Sequence, residues 1–329
     1  MRERHIAGCG VGAIGLGCMN LSHAYGHPPD RRESRRLLHR AVDLGVRHFD
    51  TAALYGFGSN EKLVGEALAA HRDEIFLASK CGMTGVDGQR VIDGRARTLR
   101  ATLEESLRRL RTDHIDLYYL HRWDKAVPIE DSVGELARMV AAGKIGAIGL
   151  SEVSATTLRK AHAVHPIAAV QTEYSLWTRN AEIAVLESCR DLGATFVAFS
   201  PLARGYLSGG AGEAATLAER DIRRGMPRFQ TENFAANRKL FTSLCELAVE
   251  AGCTPGQLSL CWLLGRGDHV TPIPGTRNLA HLEENMAAAQ LDCAPELLAR
   301  AGALINQDTV AGTRYPAATQ AEIDTEEFA

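Results

Sequence analysis

The chain has 329 residues, of which 45% are hydrophobic and 23% are charged, and these proportions are typical of a folded protein of one or two domains. Its net charge is only −3 at pH 7 and no basic run stands out, so we expect no nucleic-acid partner. The eight cysteines form no CxxC pair, which favours reduced thiols over disulfides or a metal site. There is no 18-residue apolar stretch and no signal-peptide pattern, so we predict a soluble, cytoplasmic protein without a membrane partner.

Strand-like and helix-like stretches alternate along the chain without a linker. Eight runs have the apolar character of buried parallel strands, at 13–18, 46–50, 74–80, 114–121, 145–151, 167–172, 195–200 and 269–274. Eight strands, each followed by a helix-like stretch, predict an α/β protein with a (β/α)8 TIM barrel rather than a doubly wound sheet. We expect residues 1–329 to form this barrel as a single domain.

The stretches between these strands have apolar residues at helical spacing. They predict helices at 31–44, from an N-cap at Ser59, and at 95–111, 131–142, 154–164, 180–192 and 278–290, with two more between 235 and 266. The Gly- and Arg-rich stretch 203–234, after the seventh strand, has weak periodicity and is predicted to be a mobile loop over the barrel mouth. The acidic residues at 321–327 are interpreted as a frayed tail.

The glycines near the N-terminus match a dinucleotide-binding fingerprint. Gly10, Gly12 and Gly15 have the G-x-G-x-x-G spacing, which in Rossmann folds opens a helix beneath a pyrophosphate. The charged residues before Gly10 are a poor strand, and Pro28 and Pro29 interrupt the helix that should follow. We therefore predict an N-terminal β-hairpin leading into the first barrel strand.

Four residues capable of proton transfer lie at or just beyond the ends of three successive strand-like runs, namely Asp50, Tyr55, Lys80 and His121. The carboxyl ends of barrel strands meet at one mouth, so these side chains should converge. Tyr55 is a weak acid at pH 7, but a nearby Lys80 ammonium favours the phenolate and brings proton donation within range. Asp50 would hold Lys80, and a neutral His121 could orient a carbonyl oxygen.

Taken one at a time, these four residues have ordinary structural explanations: a helix cap, a rim aromatic, a surface charge and a core histidine. Together they are hard to explain by packing, because a buried charge is costly without a partner or a purpose. The set therefore fits the reduction of a carbonyl group.

Several stretches of the chain resemble the aldo-keto reductase superfamily. They are GLGCM at 15–19, FDTAALYG at 49–56, LHR at 120–122, GKIGAIGLSE at 143–152, SPLARGYL at 200–207 and IPGTRNLAHLEEN at 273–285. The sequence and spacing of these motifs are most similar to the branch that includes pyridoxal reductases and perakine reductase, and AGTRYP at 311–316 adds to that likeness. The resemblance implies NADPH-dependent hydride transfer to an aldehyde or ketone, with Tyr55 as general acid, Lys80 and Asp50 tuning it, and His121 orienting the substrate.

The resemblance also implies a set of cofactor contacts. The matching positions are Gly17, Cys18, Met19, Asp50, Ser151, Glu152, Gln171, Phe199, Ser200, Pro201, Leu202, Arg204, Gly205, Leu207, Gly275, Thr276, Arg277, His281, Glu284 and Asn285. Among them, Phe199 would stack on the nicotinamide and residues 200–207 would line the pyrophosphate. Two positions depart from the usual pattern: Glu152 replaces a common Asn, although a carboxylate can also accept from an amide, and His281 replaces a common Arg or Lys.

The residues before the last predicted helix suggest which cofactor is bound. Gly275, Thr276 and Arg277 place backbone N–H groups and an arginine fork where a 2′-phosphate would be recognised, so we predict NADPH in preference to NADH. A solvated loop charge is the alternative for Arg277. For the small-molecule carbonyl substrate we expect contacts from Tyr55, His121 and Trp123, and loop packing explains Trp123 equally well.

Two other functions remain open at this point. One is an NAD(P)-dependent dehydrogenase that oxidises a sugar or a pyridoxal-like alcohol. The other is an NADPH-binding regulatory subunit that resembles the potassium-channel β subunits, which the four proton-transfer residues do not exclude.

Overall fold

The computed structural model describes residues 3–86 and 88–328, and eight parallel strands form its main sheet. The strands are β1 (His5–Ile6), β2 (Cys9–Gly10), β3 (Leu16–Gly17), β4 (His48–Asp50), β5 (Phe76–Cys81), β6 (Met83–Val86), β7 (Gln89–Ile92), β8 (Ile115–Leu120), β9 (Ile145–Ser151), β10 (Ile167–Glu173), β11 (Thr195–Phe199) and β12 (Val270–Pro272). The pairs β1–β2 and β6–β7 are antiparallel hairpins, and the main sheet has the order β3-β4-β5-β8-β9-β10-β11-β12.

The main sheet curls until its first and last strands meet. The N–H of Gly15 donates to the carbonyl of Pro272 at 3.0 Å, and the N–H of Gly17 donates to the carbonyl of Pro274 at 3.3 Å. A Cβ added to Gly17 would lie 3.0 Å from the carbonyl oxygen of Ile273, so this close approach favours glycine. The (β/α)8 barrel that the sequence predicts is confirmed.

The N-terminal hairpin closes the end of the barrel where the strands begin. Ile6 and Val11 are fully buried against the barrel interior, and the Thr195 hydroxyl donates to the carbonyl of His5 at 2.7 Å. The predicted hairpin is therefore present, and it contains Gly10. Gly15 leads into β3 instead of a helix, so the G-x-G-x-x-G match is not a Rossmann fingerprint.

Helices surround the sheet. They are α1 (Arg31–Asp43), α2 (Ser59–Leu68), α3 (Ala96–Leu110), α4 (Ile129–Ala141), α5 (Ala155–Val164), α6 (Val185–Leu192), α7 (Thr231–Glu250), α8 (Pro255–Leu264), α9 (Leu279–Ala287), α10 (Pro295–Leu304) and α11 (Ala317–Gln320). The predicted N-cap at Ser59 was wrong, because Gly58 is the cap, with φ of +88°, and Ser59 already begins the helix. Within the described ranges, no helix is both long and apolar enough to span a bilayer.

The stretch 203–230 is built from short 3₁₀ turns and contacts the loop that follows β3, whereas residues 231–234, which were predicted to belong to the same loop, begin α7. The N–H of Ile222 donates to the carbonyl of Ala24 at 2.9 Å, and the Arg223 guanidinium lies 5.0 Å from the centre of the Tyr25 ring. The two loops therefore meet above the carboxyl ends of the strands. The mobility of this stretch stays a prediction.

The chain beyond residue 310 is bound to the barrel, so the interpretation of 321–327 as a frayed tail was wrong. The Asp324 carboxylate accepts from the N–H and the hydroxyl of Ser154 at 3.1 and 2.9 Å, and the Glu326 carboxylate accepts from the N–H of Ala155 at 2.7 Å. Both acids thus lie at the positive N-terminal end of α5, where negative charge is favourable.

A buried ion-pair network anchors the same C-terminal segment. The Arg314 guanidinium contacts the carboxylates of Glu152 at 2.6 Å and Glu173 at 3.2 Å, and all three side chains are at least 90% shielded from solvent. Burial alone would raise the pKa of Glu173, but the attraction of Arg204 and Arg314 outweighs it and lowers that pKa to about 2. The ends of β9 and β10 are thereby joined to the C-terminal segment.

We expect Arg314→Met to lower the free energy of unfolding by about 3–5 kcal/mol, because it leaves the buried Glu152 carboxylate without its ion-pair partner and removes one of the two arginines that pair with Glu173. Urea denaturation followed by circular dichroism would measure the change. The matched control is Arg300→Met, which removes an arginine from an exposed pair with Glu250 and should have little effect. Equal losses in the two variants would contradict the structural role of Arg314.

Candidate active site

A cleft of about 1010 Å³ opens at the carboxyl ends of the barrel strands. Its lining includes Asp50 at the end of β4, Ser151 at the end of β9, Gln171 in β10 and Phe199 at the end of β11. This volume is at the upper limit of ordinary small-molecule sites. The cleft can therefore hold an extended ligand.

The residues on the cleft floor follow from the two-residue period of the strands. In β5, Phe76 and Ala78 point into the barrel interior, so Lys80 points the same way at the mouth. In β8, Tyr119 points inward, and His121 just beyond the strand continues that side. Neighbouring strands thus each place one polar side chain at the same end of the apolar barrel interior.

Lys80 and Asp50 form a buried ion pair at the centre of the floor. The Lys80 ammonium lies 2.5 Å from one carboxylate oxygen of Asp50 and 2.8 Å from the carbonyl of Thr51. The other oxygen of Asp50 accepts from the Gln171 amide at 2.7 Å. Both charges are almost completely shielded from solvent, and these hydrogen bonds compensate for their lost hydration.

Tyr55 lies above this ion pair, with its ring centre 4.9 Å from the Lys80 nitrogen. It opens a tight turn in which Gly56, Phe57 and Gly58 all have positive φ, at 55°, 51° and 88°. Two glycines allow this path at little cost, whereas Phe57 is strained by about 1–3 kcal/mol. The turn directs the Tyr55 ring back into the cleft before α2 begins.

The pKa of Tyr55 is raised overall, although the Lys80 ammonium on its own would lower it. Burial raises the pKa of Tyr55 above its ordinary value, and the opposing attraction of the Lys80 ammonium does not cancel that effect. The sequence-based expectation that Lys80 favours the phenolate is therefore right about the direction of the Lys80 contribution. That contribution has the second-largest effect on the pKa of Tyr55, after burial. Tyr55 holds its proton at neutral pH and can donate it.

His121 completes the group, and the structure brings all four predicted residues together. Its ring meets the Tyr55 ring edge-to-face, with centres 5.8 Å apart. Burial, followed by repulsion from Arg122 and Lys80, lowers the pKa of His121 well below its ordinary value. His121 is therefore a neutral hydrogen-bonding group at physiological pH.

Most of the predicted cofactor positions line the same cleft. They are Gly17, Met19, Asp50, Ser151, Gln171, Phe199, Ser200, Pro201, Leu202, Arg204, Gly205, Gly275, Thr276, Arg277, His281, Glu284 and Asn285. Ser200, Ala203 and Arg204 also have positive φ, at 47°, 49° and 58°. Such strain in residues other than glycine is concentrated at ligand-binding segments.

The end of the cleft near α9 has polar groups that suit a phosphate and a base. Arg277 donates to the carbonyls of Tyr25 and His27 at 3.0 and 2.6 Å, and in the described chain no carboxylate pairs with it. The Asn285 side chain is buried in the lining of the cleft. These residues fit the phosphate-bearing, adenine end of a dinucleotide.

Four predicted contacts do not line the cleft. Glu152 directs one carboxylate oxygen to Arg314 at 2.6 Å, Cys18 and Leu207 are buried in the core, and the Trp123 indole donates to the carbonyl of Val127 at 2.9 Å. For Trp123, the structure thus favours the alternative explanation, which is packing within its own loop. The ligand contacts of all four stay predictions.

Several cleft residues were not anticipated from the sequence. They are His23, Tyr25, Arg90, Arg122, Arg223 and Tyr315. The ring of His23 stacks over Tyr55, with centres 6.3 Å apart. Arg122 was detectable as the neighbour of His121. The others lie far apart in the chain, Arg90 in β7 and the rest in loops, and no local pattern distinguishes them.

Comparison with known proteins agrees with this geometry. The profile of the Aldo/keto reductase family matches residues 13–304. The glycerol dehydrogenase AKR11B4 from Gluconobacter oxydans has a similar structure, with 28% identity and a TM-score of 0.85 over 96% of this chain and 98% of that one. The aldo-keto reductase AKR11C1 from Bacillus halodurans shares 25% identity, with a TM-score of 0.76 and coverage of 96% and 99%. The thermostable aldo-keto reductase Tm1743, solved with the inhibitor epalrestat, shares 29% identity, with a TM-score of 0.73 and coverage of 92% and 100%.

We expect the His121 ring to stay neutral in the folded protein well below pH 6.5, the ordinary value for histidine, because burial and neighbouring cations disfavour its charged form. Histidine ring NMR signals, with His121→Gln for assignment, would measure this. In the urea-unfolded chain the same ring should titrate near pH 6.5. Only the unfolded form takes up the proton, so His121 contributes stability that is lost as the pH falls through about 6.5. An ordinary folded-state titration would contradict this account.

Proposed function

The chain belongs to the Aldo/keto reductase family, and on that premise we propose that it reduces an aldehyde or a ketone to an alcohol with NADPH. The observation that carries the proposal is the Lys80–Asp50 pair beneath a protonated Tyr55, beside a neutral His121 in one cleft. Family membership supports an oxidoreductase with a nicotinamide cofactor. The direction of the reaction and the preference for NADPH are our inference from the site.

NADPH, when bound, supplies a hydride to the carbonyl carbon of the substrate. Residues of the chain neutralise the negative charge that develops on the carbonyl oxygen as the hydride is transferred. Tyr55 donates its proton to that oxygen, and Lys80 stabilises the resulting phenolate across a short, water-poor distance. Asp50 holds the Lys80 ammonium in place, and Gln171 holds Asp50.

His121 has a different task, because a neutral ring cannot compete with Tyr55 as a proton donor. It can donate one hydrogen bond to the carbonyl oxygen and so fix the orientation of the substrate. Its Nδ1 is buried and has no partner among residues 3–86 and 88–328. A carbonyl compound positioned between His121 and Tyr55 would have its oxygen near both groups.

The cofactor would lie along the rest of the cleft. Phe199 supports the nicotinamide end, the strained segment at 200–205 lies along the pyrophosphate, and Arg277 recognises the 2′-phosphate. Packing within the chain itself requires glycine at 275, because a Cβ there would come within 2.9 Å of the Gly17 carbonyl and of the Asn20 side chain. We also place the protein in the cytoplasm, since its cysteines lack the spacing of a disulfide framework.

A second candidate is the oxidation of an alcohol with NAD(P). The structural similarity to a glycerol dehydrogenase favours it, whereas the sequence motifs resemble the branch with pyridoxal reductases and perakine reductase. For oxidation Tyr55 would have to act as a base, and its raised pKa opposes this at neutral pH. Initial rates with glycerol, pyridoxine and matched aldehydes at pH 7 would rank the two directions. Turnover in either direction would also weigh against a purely regulatory role.

We expect Tyr55→Phe to lower kcat for reduction of 4-nitrobenzaldehyde by about 10²–10⁴-fold, because general-acid catalysis is lost. The dissociation constant of NADPH, from quenching of tryptophan fluorescence, should change by less than about threefold. The control is Tyr118→Phe, which removes a phenol that faces α3 outside the barrel. Turnover by Tyr55→Phe at the rate of the control would exclude Tyr55 as the acid.

We expect Arg277→Ala to weaken NADPH binding by about tenfold or more, because a charge-assisted contact with the 2′-phosphate is lost, and to leave NADH binding nearly unchanged. Fluorescence titration gives both dissociation constants. Arg40→Ala is the matched control, since Arg40 pairs with Glu283 on the outer side of α9, away from the cleft. Equal losses for the two cofactors would show that Arg277 does not read the 2′-phosphate.

A further inference from the structure

Five arginines line the cleft, and they differ in how their charge is balanced. Arg90 pairs with Glu322, Arg204 with Glu173 and Arg223 with Asp221. The remaining two, Arg122 and Arg277, have no carboxylate partner anywhere in the described chain. In our proposed function Arg277 binds the 2′-phosphate of the cofactor. The proposed function assigns no partner to the charge of Arg122.

Arg122 is held in a defined position beside the reacting groups. One terminal nitrogen, Nη1, donates to the carbonyl of His121 at 2.6 Å and to the hydroxyl of Ser151 at 3.2 Å. Its Nε is shielded from solvent and has no hydrogen-bond partner in the part of the chain described. The hydrogen bonds that the guanidinium makes in that part come from Nη1. The Nε and Nη2 groups form one edge of the guanidinium, which is the edge that binds carboxylates and phosphates with two parallel hydrogen bonds.

A shielded N–H group without a partner is destabilising, and it persists where a ligand provides the missing acceptor. Among the described residues, none accepts a hydrogen bond from the Nε of Arg122. Asp50 is taken up by Lys80 and Gln171, and the Asp124 carboxylate accepts from the N–H groups of Gly94 and Ala126. Both carboxylates are thus already engaged, so a bound molecule can supply the missing acceptor.

We propose that Arg122 is the anion-recognition residue of the substrate site, and that the preferred substrate is an aldehyde or ketone that also carries a carboxylate or a phosphate. This inference rests on the proposed function and specifies its substrate class. Arg122, His121 and Tyr55 line the same cleft, so a substrate whose anion binds the free edge of Arg122 can have its carbonyl group near His121 and Tyr55. Arg122 does not take part in proton transfer, and its contribution is to substrate binding.

The test compares acid and neutral forms of one aldehyde. The probes are 3- and 4-carboxybenzaldehyde against their methyl esters, and glyceraldehyde 3-phosphate against glyceraldehyde, which separates a carboxylate preference from a phosphate preference. For the wild type we expect kcat/KM to be at least about tenfold higher for the anion in one of these pairs, mainly through KM. Arg122→Gln should reduce that ratio at least tenfold, and Arg122→Lys should restore part of it, because charge returns without the fork.

Arg300→Gln is the control, since it removes an exposed arginine from α10, and it should leave the ratio unchanged. The inference is overturned if the wild type shows no preference for the anion in any pair, or if Arg122→Gln leaves the ratio intact. It is also overturned if Arg122→Gln weakens NADPH binding more than about threefold without changing the ratio, since Arg122 would then serve the cofactor.

A binding measurement separates this inference from the proposed function. Calorimetry with 3- and 4-(hydroxymethyl)benzoate, with glycerol 3-phosphate, and with the matching neutral alcohols reports on Arg122 without turnover. If no aldehyde is reduced but an anion binds and Arg122→Gln abolishes that binding, the proposed function fails and the anion site stands. If aldehydes are reduced but none of the anions binds better than its neutral counterpart, the anion site fails and the proposed function stands.

Discussion

The buried ion pair between Lys80 and Asp50 is the interaction on which the rest of the site depends. Two charges this far from water are tolerable only with strong compensation, and the Thr51 carbonyl and the Gln171 amide provide it at 2.8 and 2.7 Å. Thr51 directly follows β4 and Gln171 lies in β10, and both strands belong to one closed sheet. The ion pair therefore requires the barrel seam at Gly17 to form, because an open sheet would expose the charges to water and weaken their field.

The same dry interior acts on Tyr55 in two opposite ways. Low polarity strengthens the attraction between the Lys80 ammonium and a phenolate, but it also disfavours the phenolate by burial, and burial has the larger effect. A proton donor needs these two effects in this order, with burial stronger than the attraction of Lys80. Tyr55 stays protonated until negative charge develops on a neighbouring oxygen, and the Lys80 charge is already in position to stabilise the phenolate that results.

The sequence predicts the parts of this arrangement that have a local signal. The barrel strands have apolar runs, and polar residues at their ends are visible one by one, so Asp50, Lys80 and His121 could be placed without coordinates. Contacts between distant segments have no such signal. Glu152 was interpreted as an acceptor for a cofactor amide, yet it pairs with Arg314, 162 residues away, and neither residue's neighbours in the chain indicate the other. The bound C-terminal segment was missed for the same reason.

In our inference the charge of Arg122 serves substrate binding rather than proton transfer. An unbalanced guanidinium near Tyr55 lowers the pKa of the phenol to some degree, because it favours the phenolate. An anion bound to Arg122 would cancel that influence and leave Tyr55 more firmly protonated. Tyr55 already holds its proton at neutral pH, so this change would not alter the fraction of the enzyme that can donate it, and the bound anion would act on the position of the substrate instead. Arg122 would therefore select the substrate through binding alone, while proton donation depends on Tyr55 and on the Lys80 charge that stabilises its phenolate.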